Sequence, residues 1–145
     1  LRTVFRQEAH PVIIAERHKL KAFDGRAVIF GAGWRPGWST DFVAVQIAAD
    51  FKINKTIILG KPEYVYDKDN QKFPDARFFE KLDWENYLKL IPNEWTPGMH
   101  APVDPMAARL AQKENIKVIV AGGRDLENVN NILEGRAFRG TRITG

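Results

Sequence analysis

The chain contains no cysteine. Disulfide bridges, thiolate metal sites and cysteine nucleophiles are thereby excluded, and the composition suits a reducing compartment. Long hydrophobic runs are missing too: "PVIIA" and "TIILG" fall far short of the roughly 18 to 20 apolar residues of a membrane span, and the N-terminal residues carry no signal-peptide pattern. A soluble, cytoplasmic protein without a membrane partner is the expectation. Histidine is scarce, and His10, His18 and His100 stand at no metal-ligand spacing, so no protein-held metal site is expected. No Gly-x-Ser-x-Gly elbow supports hydrolase chemistry. Basic residues form no block: 22 Lys and Arg face 18 Asp and Glu, and the net charge of +4 is dispersed. That balance favours anionic ligands but not nucleic acid as a partner.

What is present fits a single globular domain over residues 1–145, with 44% hydrophobic and 28% charged residues. Four short β-branched runs lack polar alternation and read as strands covered on both faces: Pro11 to Ala15, Ala27 to Phe30, Thr56 to Leu59, and Lys117 to Ala121. Helical patterns lie between them. Val43, Ala44, Ile47, Ala48 and Phe51 recur at the spacing of one helix face, after Ser39 and Thr40 as caps. Asp83 precedes a helix from Trp84 to Ile91, and Asp104 with Pro105 opens a third over "DPMAARLAQKEN". A fourth runs from Asp125 to Glu134, with Leu126, Val129, Ile132 and Leu133 inward and Gly135 closing it. "FRGTRIT" is expected to end the chain as an edge strand. Alternating strands and helices predict an α/β fold with a mostly parallel sheet and ligands at the strands' C-terminal ends. Gly60 to Leu82 and Pro92 to Val103 read as long loops of functional interest. "RFFEKLDWENY" mixes aromatics with charge, but its spacing assigns it to core and interface. Phe78 and Phe79 are candidates for an oligomer contact.

One stretch stands out. "GAGWRPGWSTD", Gly31 to Asp41, places three glycines, a proline and two tryptophans between an apolar run and a helix start. Glycine permits close backbone approach and positive φ, so this order aims N–H donors and a positive helix end at one point, where an anion is the natural occupant. Ser39 and Thr40 add hydroxyl donors, Pro36 stiffens the turn, and Trp34 and Trp38 are placed to wall a base or sugar. A tight βα corner with an ordinary cap explains the same residues equally well. The spacing matches neither the dinucleotide fingerprint G-x-G-x-x-G nor the P-loop.

In order and spacing, "GWRPGWSTDFVAVQIA", "YVYDKDNQKFPDA", "PVDPMAARLA" and "ENIKVIVAGGRDLENVNNILEG" with a following "GT" resemble the C-terminal part of uridylate kinases of the amino-acid-kinase superfamily. The likeness covers roughly residues 10 to 145. It implies a three-layer α/β/α fold whose N-terminal part is missing here, transfer of the ATP γ-phosphate to UMP giving UDP and ADP with Mg²⁺, and a homo-oligomer, commonly a hexamer. Carried onto this chain, it implies UMP binding by Trp34, Arg35, Pro36, Gly37, Trp38, Ser39, Thr40 and Asp41. It places Tyr66 against adenine, Asp69 near the ATP ribose or base, and Asp104 among the active-site charges as the catalytic candidate. Gly60 stands where relatives often present threonine, which leaves it a backbone contact with ATP, and Glu63 and Tyr64 replace the usual Asp-Gly pair. Another family phosphotransferase, or a non-catalytic nucleotide-binding or storage protein of the same fold, is the alternative. The family's N-terminal glycine turns and phosphate-gripping basic groups do not precede Leu1, so the 145 residues are expected to be a piece of a longer chain and inert alone.

Overall fold

The computed structural model describes residues 2–20, 25, 28–94 and 101–145. In chain order the elements are α1 (Thr40–Asp50), β1 (Lys55–Gly60), β2 (Val65–Tyr66), β3 (Phe78–Phe79), β4 (Lys81–Asp83), α2 (Trp84–Leu90), α3 (Pro105–Lys113), β5 (Lys117–Gly122), α4 (Leu126–Leu133) and β6 (Thr141–Thr144). The strand β5 organises them. Its side chains alternate, and Val118, Ile119, Val120 and Ala121 are all buried, as a strand covered on both faces requires. Val118 and Val120 join Ile143 of β6 and the buried faces of α1, α2 and α3, whereas Ile119 and Ala121 meet Ile132 of α4 with Ile57 and Phe138. Each such buried valine or isoleucine contributes about 1.5–3 kcal/mol. Among the described residues the result is a three-layer α/β/α arrangement, with α1, α2 and α3 on one face and α4 on the other.

The sheet runs β1-β5-β6-β4. β1 lies parallel to β5 with Gly60 opposite Gly122, β6 is antiparallel to β5, and β4 is parallel to β6. Parallel pairings therefore predominate. β6 is an interior strand, which corrects the expectation of an edge. The residue pattern could not show this, because β4 supplies its outer neighbour from a segment that reads as loop. That same segment holds the β2–β3 ribbon, where Val65 pairs with Phe79 and Tyr66 with Phe78.

Other expectations are corrected by packing. The runs at Pro11 to Ala15 and Ala27 to Phe30 form isolated parallel bridges, Ala9 to Val28 and Ile14 to Gly31, and no named strand; Ala27 itself lies outside the described residues, as do 95–100 of the expected loop and His100. Ile13 is exposed and Ile14 buried, so this run is covered on one face only. On α1 the buried residues are Val43, Val45, Gln46 and Ala48, with Ala44, Ile47 and Phe51 half-buried. A helix apolar almost all round gives periodicity no single face to report. On α4, Ile132 is buried and Val129 half-buried, but Leu126 and Leu133 are 76% and 63% exposed. Phe78 is exposed while Phe79 packs against the main core, so of the two only Phe78 remains on the surface.

Candidate functional site

The glycine stretch forms a turn in which the Trp38 amide donates to the Arg35 carbonyl at 3.1 Å and Gly37 takes φ +84°. Proline second and glycine third suit a type II turn, because the third position needs positive φ. Ser39 then caps α1, its Oγ accepting from the Phe42 amide at 3.0 Å. The aromatic walls are partly self-engaged. Trp34 donates from Nε1 to the Ile14 carbonyl at 3.0 Å, Trp34 and Trp38 lie 6.2 Å apart, and the Arg35 guanidinium sits 5.4 Å from the Trp38 ring. Arg35, Pro36, Gly37 and Thr40 are exposed.

Sixty-five residues later the chain returns to this corner. Asp104, 4% exposed, caps α3: its Oδ1 accepts from the Met106 and Ala107 amides at 2.8 and 3.0 Å. Its Oδ2 accepts a short hydrogen bond from the Ser39 hydroxyl. The caps of two helices are therefore joined, and the positive ends of α1 and α3 lie side by side. The buried alanines Ala107, Ala108 and Ala111 let α3 pack closely in the core that also holds α1. The Ser39 hydroxyl donates to Asp104, and Thr40 is left as the exposed hydroxyl.

Asp41 faces the same corner. Burial first, and then the charge of Asp104, push its carboxyl up to about 6, against a hydrogen bond from the Asp104 backbone that lowers it. An acid whose folded value lies above its unfolded one holds extra protons in the native state. Stability is therefore expected to fall as pH rises from about 4 to about 6, by on the order of 2 kcal/mol, and to level off above. Asp69, Asp83 and Asp125 are held below the ordinary value, so their stabilisation is lost only as pH falls beneath that window. Urea midpoints across this range should show the decline in the parent chain and a flat line in Asp41→Asn.

The nucleotide-side candidates are not gathered in the same way. Gly60 ends β1, and its carbonyl accepts from the Gly123 amide at 3.0 Å. A Cβ there would make only ordinary contact with Pro62, so sterics do not demand glycine. Tyr66 is half-buried on β2. Asp69 closes an exposed turn, accepting from the Gln71 amide at 2.9 Å and pairing with Lys72 at 3.4 Å, and that amide first, then Lys72, hold its carboxyl low. β1 and β5 are parallel and end together at Gly60 and Gly122, the kind of strand ends at which α/β sheets commonly bind ligands. Arg139 and Asp125 pair there, with Glu63 close enough to act on Arg139. Sequence reasoning missed this pair, and it missed the Tyr87 hydroxyl, which bonds the Val103 backbone. No pattern marks either, because their partners come from other elements.

A cavity of about 190 Å³ lies behind Trp34, lined by Ile14, Leu20, Ile47 and Phe51 with His18 and Asp50. Asp50 is already held by Arg17 and Gln46. Among the described residues no three His, Asp or Glu side chains converge as a metal site, and none of the helices is long and apolar enough to cross a membrane.

The sequence model of the amino acid kinase family matches residues 24–122. The chain belongs to the amino acid kinase family. It is 28% identical over 126 residues to a uridylate kinase of Hyperthermus butylicus, covering 87% of this chain and 55% of that protein. With a uridylate kinase of Thermoplasma volcanium it shares 37% over 112 residues, covering 77% and 48%. Among solved structures, the uridylate kinase of Archaeoglobus fulgidus superposes with a TM-score of 0.68 at 27% identity, over 82% of this chain and 52% of that one. The chain thus spans about half the length of the curated relatives it matches.

Proposed function

We propose that this chain is the acceptor- and nucleotide-binding portion of a uridylate kinase, an enzyme that passes the ATP γ-phosphate to UMP and releases UDP and ADP. The observation that carries the proposal is the Ser39 to Asp104 bridge, which locks the glycine turn against the heads of two helices. Backbone N–H groups around Pro36 and Gly37, the start of α1 and the exposed Thr40 hydroxyl would bind the UMP phosphate. Arg35 supplies a cation at the rim, and Trp34 and Trp38 flank the sugar and base. Phosphoryl transfer asks a protein mainly to position groups and neutralise charge. Asp104 suits positioning: both of its oxygens are engaged by amides and a hydroxyl, leaving it to hold the acceptor corner in shape.

Gly60, Tyr66 and Asp69 form the ATP side of the proposal, at and beyond the C-terminal ends of β1 and β5. The carboxylates of the corner are committed to internal partners, so the residues described here do not form a dedicated Mg²⁺ site. The ion belongs with ATP as part of the substrate. A cytoplasmic location and a homo-oligomer, hexameric as the resemblance implies, belong to the same proposal, as does inertness of the 145 residues alone, which the half-length match to the relatives supports.

Calorimetric titration with UMP, CMP and ATP tests the assignment. Saturable binding with a preference for UMP is expected. ATP binding without any acceptor binding would instead indicate a nucleotide-binding protein that has lost transfer. Steady UDP formation by the 145 residues would refute their inertness.

A further inference from the structure

Tyr87 is fully buried on α2, edge-on to Trp84 with ring centroids 6.0 Å apart. Its hydroxyl donates to the Val103 carbonyl and accepts from the Val103 amide, both at 2.7 Å. One phenol thus satisfies both main-chain groups of a fully buried residue that has no strand or helix partner of its own. The next residue is Asp104, whose carboxylate reaches Ser39, and Ser39 holds the first turn of α1. A path of one hydrogen-bonded clamp, one peptide bond and one side-chain bridge therefore runs from α2 to the glycine turn. Apolar packing does not explain the hydroxyl, since phenylalanine would fill the same volume.

We propose that Tyr87 is a positioning residue for the acceptor corner: by fixing the backbone of Val103 it sets where Asp104 meets Ser39. Its consequence for UMP rests on the function proposed above, whereas its hold on Ser39 does not. Neither Asp104 nor Ser39 can shift independently, because each caps a helix as well as bonding the other. Removing the hydroxyl leaves the Val103 amide and carbonyl unpaired in a buried place, and the loop moves to satisfy them.

Amide hydrogen exchange on the chain as it stands, with UMP titration alongside, tests this. In Tyr87→Phe the Met106, Ala107 and Phe42 amides are expected to exchange about tenfold faster, with β5 amides unchanged and UMP affinity lowered by a similar factor. In a Ser39→Ala background, Tyr87→Phe should still act on Met106 and Ala107 but add nothing at Phe42. An unchanged Phe42 amide, uniform acceleration that includes Val118 and Val120, or simple additivity at Phe42 would each overturn the proposal. If Tyr87→Phe does not fold, fluorotyrosine labelling replaces it: Ser39→Ala should shift the Tyr87 fluorine resonance and leave Tyr64 and Tyr66 in place, and no shift overturns the coupling. A flat UMP titration in the parent chain, with the exchange coupling intact, sinks the acceptor assignment and upholds the hold of Tyr87 on Ser39.

Discussion

Asp104→Ala is expected to lower UMP affinity by at least about tenfold and the unfolding free energy by about 2–3 kcal/mol. The carboxylate accepts from the Met106 and Ala107 amides and from the Ser39 hydroxyl at a site only 4% exposed. Alanine would remove the cap of α3 and free Ser39 at once, so stability and the shape of the glycine turn should fail together. Asp104→Asn separates the two effects. Its amide oxygen can still cap α3, which preserves most of the stability, but the charge beside Asp41 is gone. The Asp41 carboxyl should then titrate below about 6 while burial keeps it above the ordinary aspartate value. Carboxyl carbon chemical shifts against pH measure this directly; an unmoved Asp41 would mean that the two carboxylates do not interact.

Gly140→Ala should be the most damaging of the glycine-to-alanine changes among the described residues, costing about 3 kcal/mol or more. Gly140 adopts φ +150°, and a Cβ there would stand 2.5 Å from the Val120 carbonyl oxygen and 3.2 Å from the Ala121 side chain. Those atoms belong to the central strand and cannot retreat. The next residue, Thr141, accepts from the Val65 amide at 2.8 Å and donates to the Phe79 carbonyl, so a displaced Gly140 would loosen the β2–β3 ribbon as well as β6. Gly135→Ala is the control. Gly135 has φ +71° but open space around its missing Cβ, and the expected loss there is only about 1 kcal/mol. Urea denaturation of both variants should separate them by several-fold in free energy. Equal midpoints would contradict the placement of β6 against β5.

Local features were legible in the sequence wherever the cause is local. Asp83 and Asp104 do cap helices, because a short acceptor side chain before a helical run bonds amides within three residues of itself; Asp125, read as the first residue of its helix, caps one too. The run Lys117 to Ala121 is a strand buried on both faces from Val118 onward, as its β-branched character indicates. Strand order was not legible. β4 is three residues long and β2 and β3 two each, too short for any period to register, and they exist only through their partners. The interior place of β6 follows from β4.

The corner around Ser39 and Asp104 divides in the same way. Sequence alone determined that a glycine turn with proline and a serine cap leads into a helix, since those preferences reside in φ and in side chains next to their own backbone. Only the tertiary structure decided that Asp104 would spend its second oxygen on Ser39, that Asp41 would be held protonated toward pH 6, and that Tyr87 would clamp the residue before Asp104. Those partners lie between 16 and 65 residues apart, and their proximity is fixed by the packing of α1, α2 and α3 on one face of the sheet. Burial and charge at a distance are properties of that packing, and no single segment carries them.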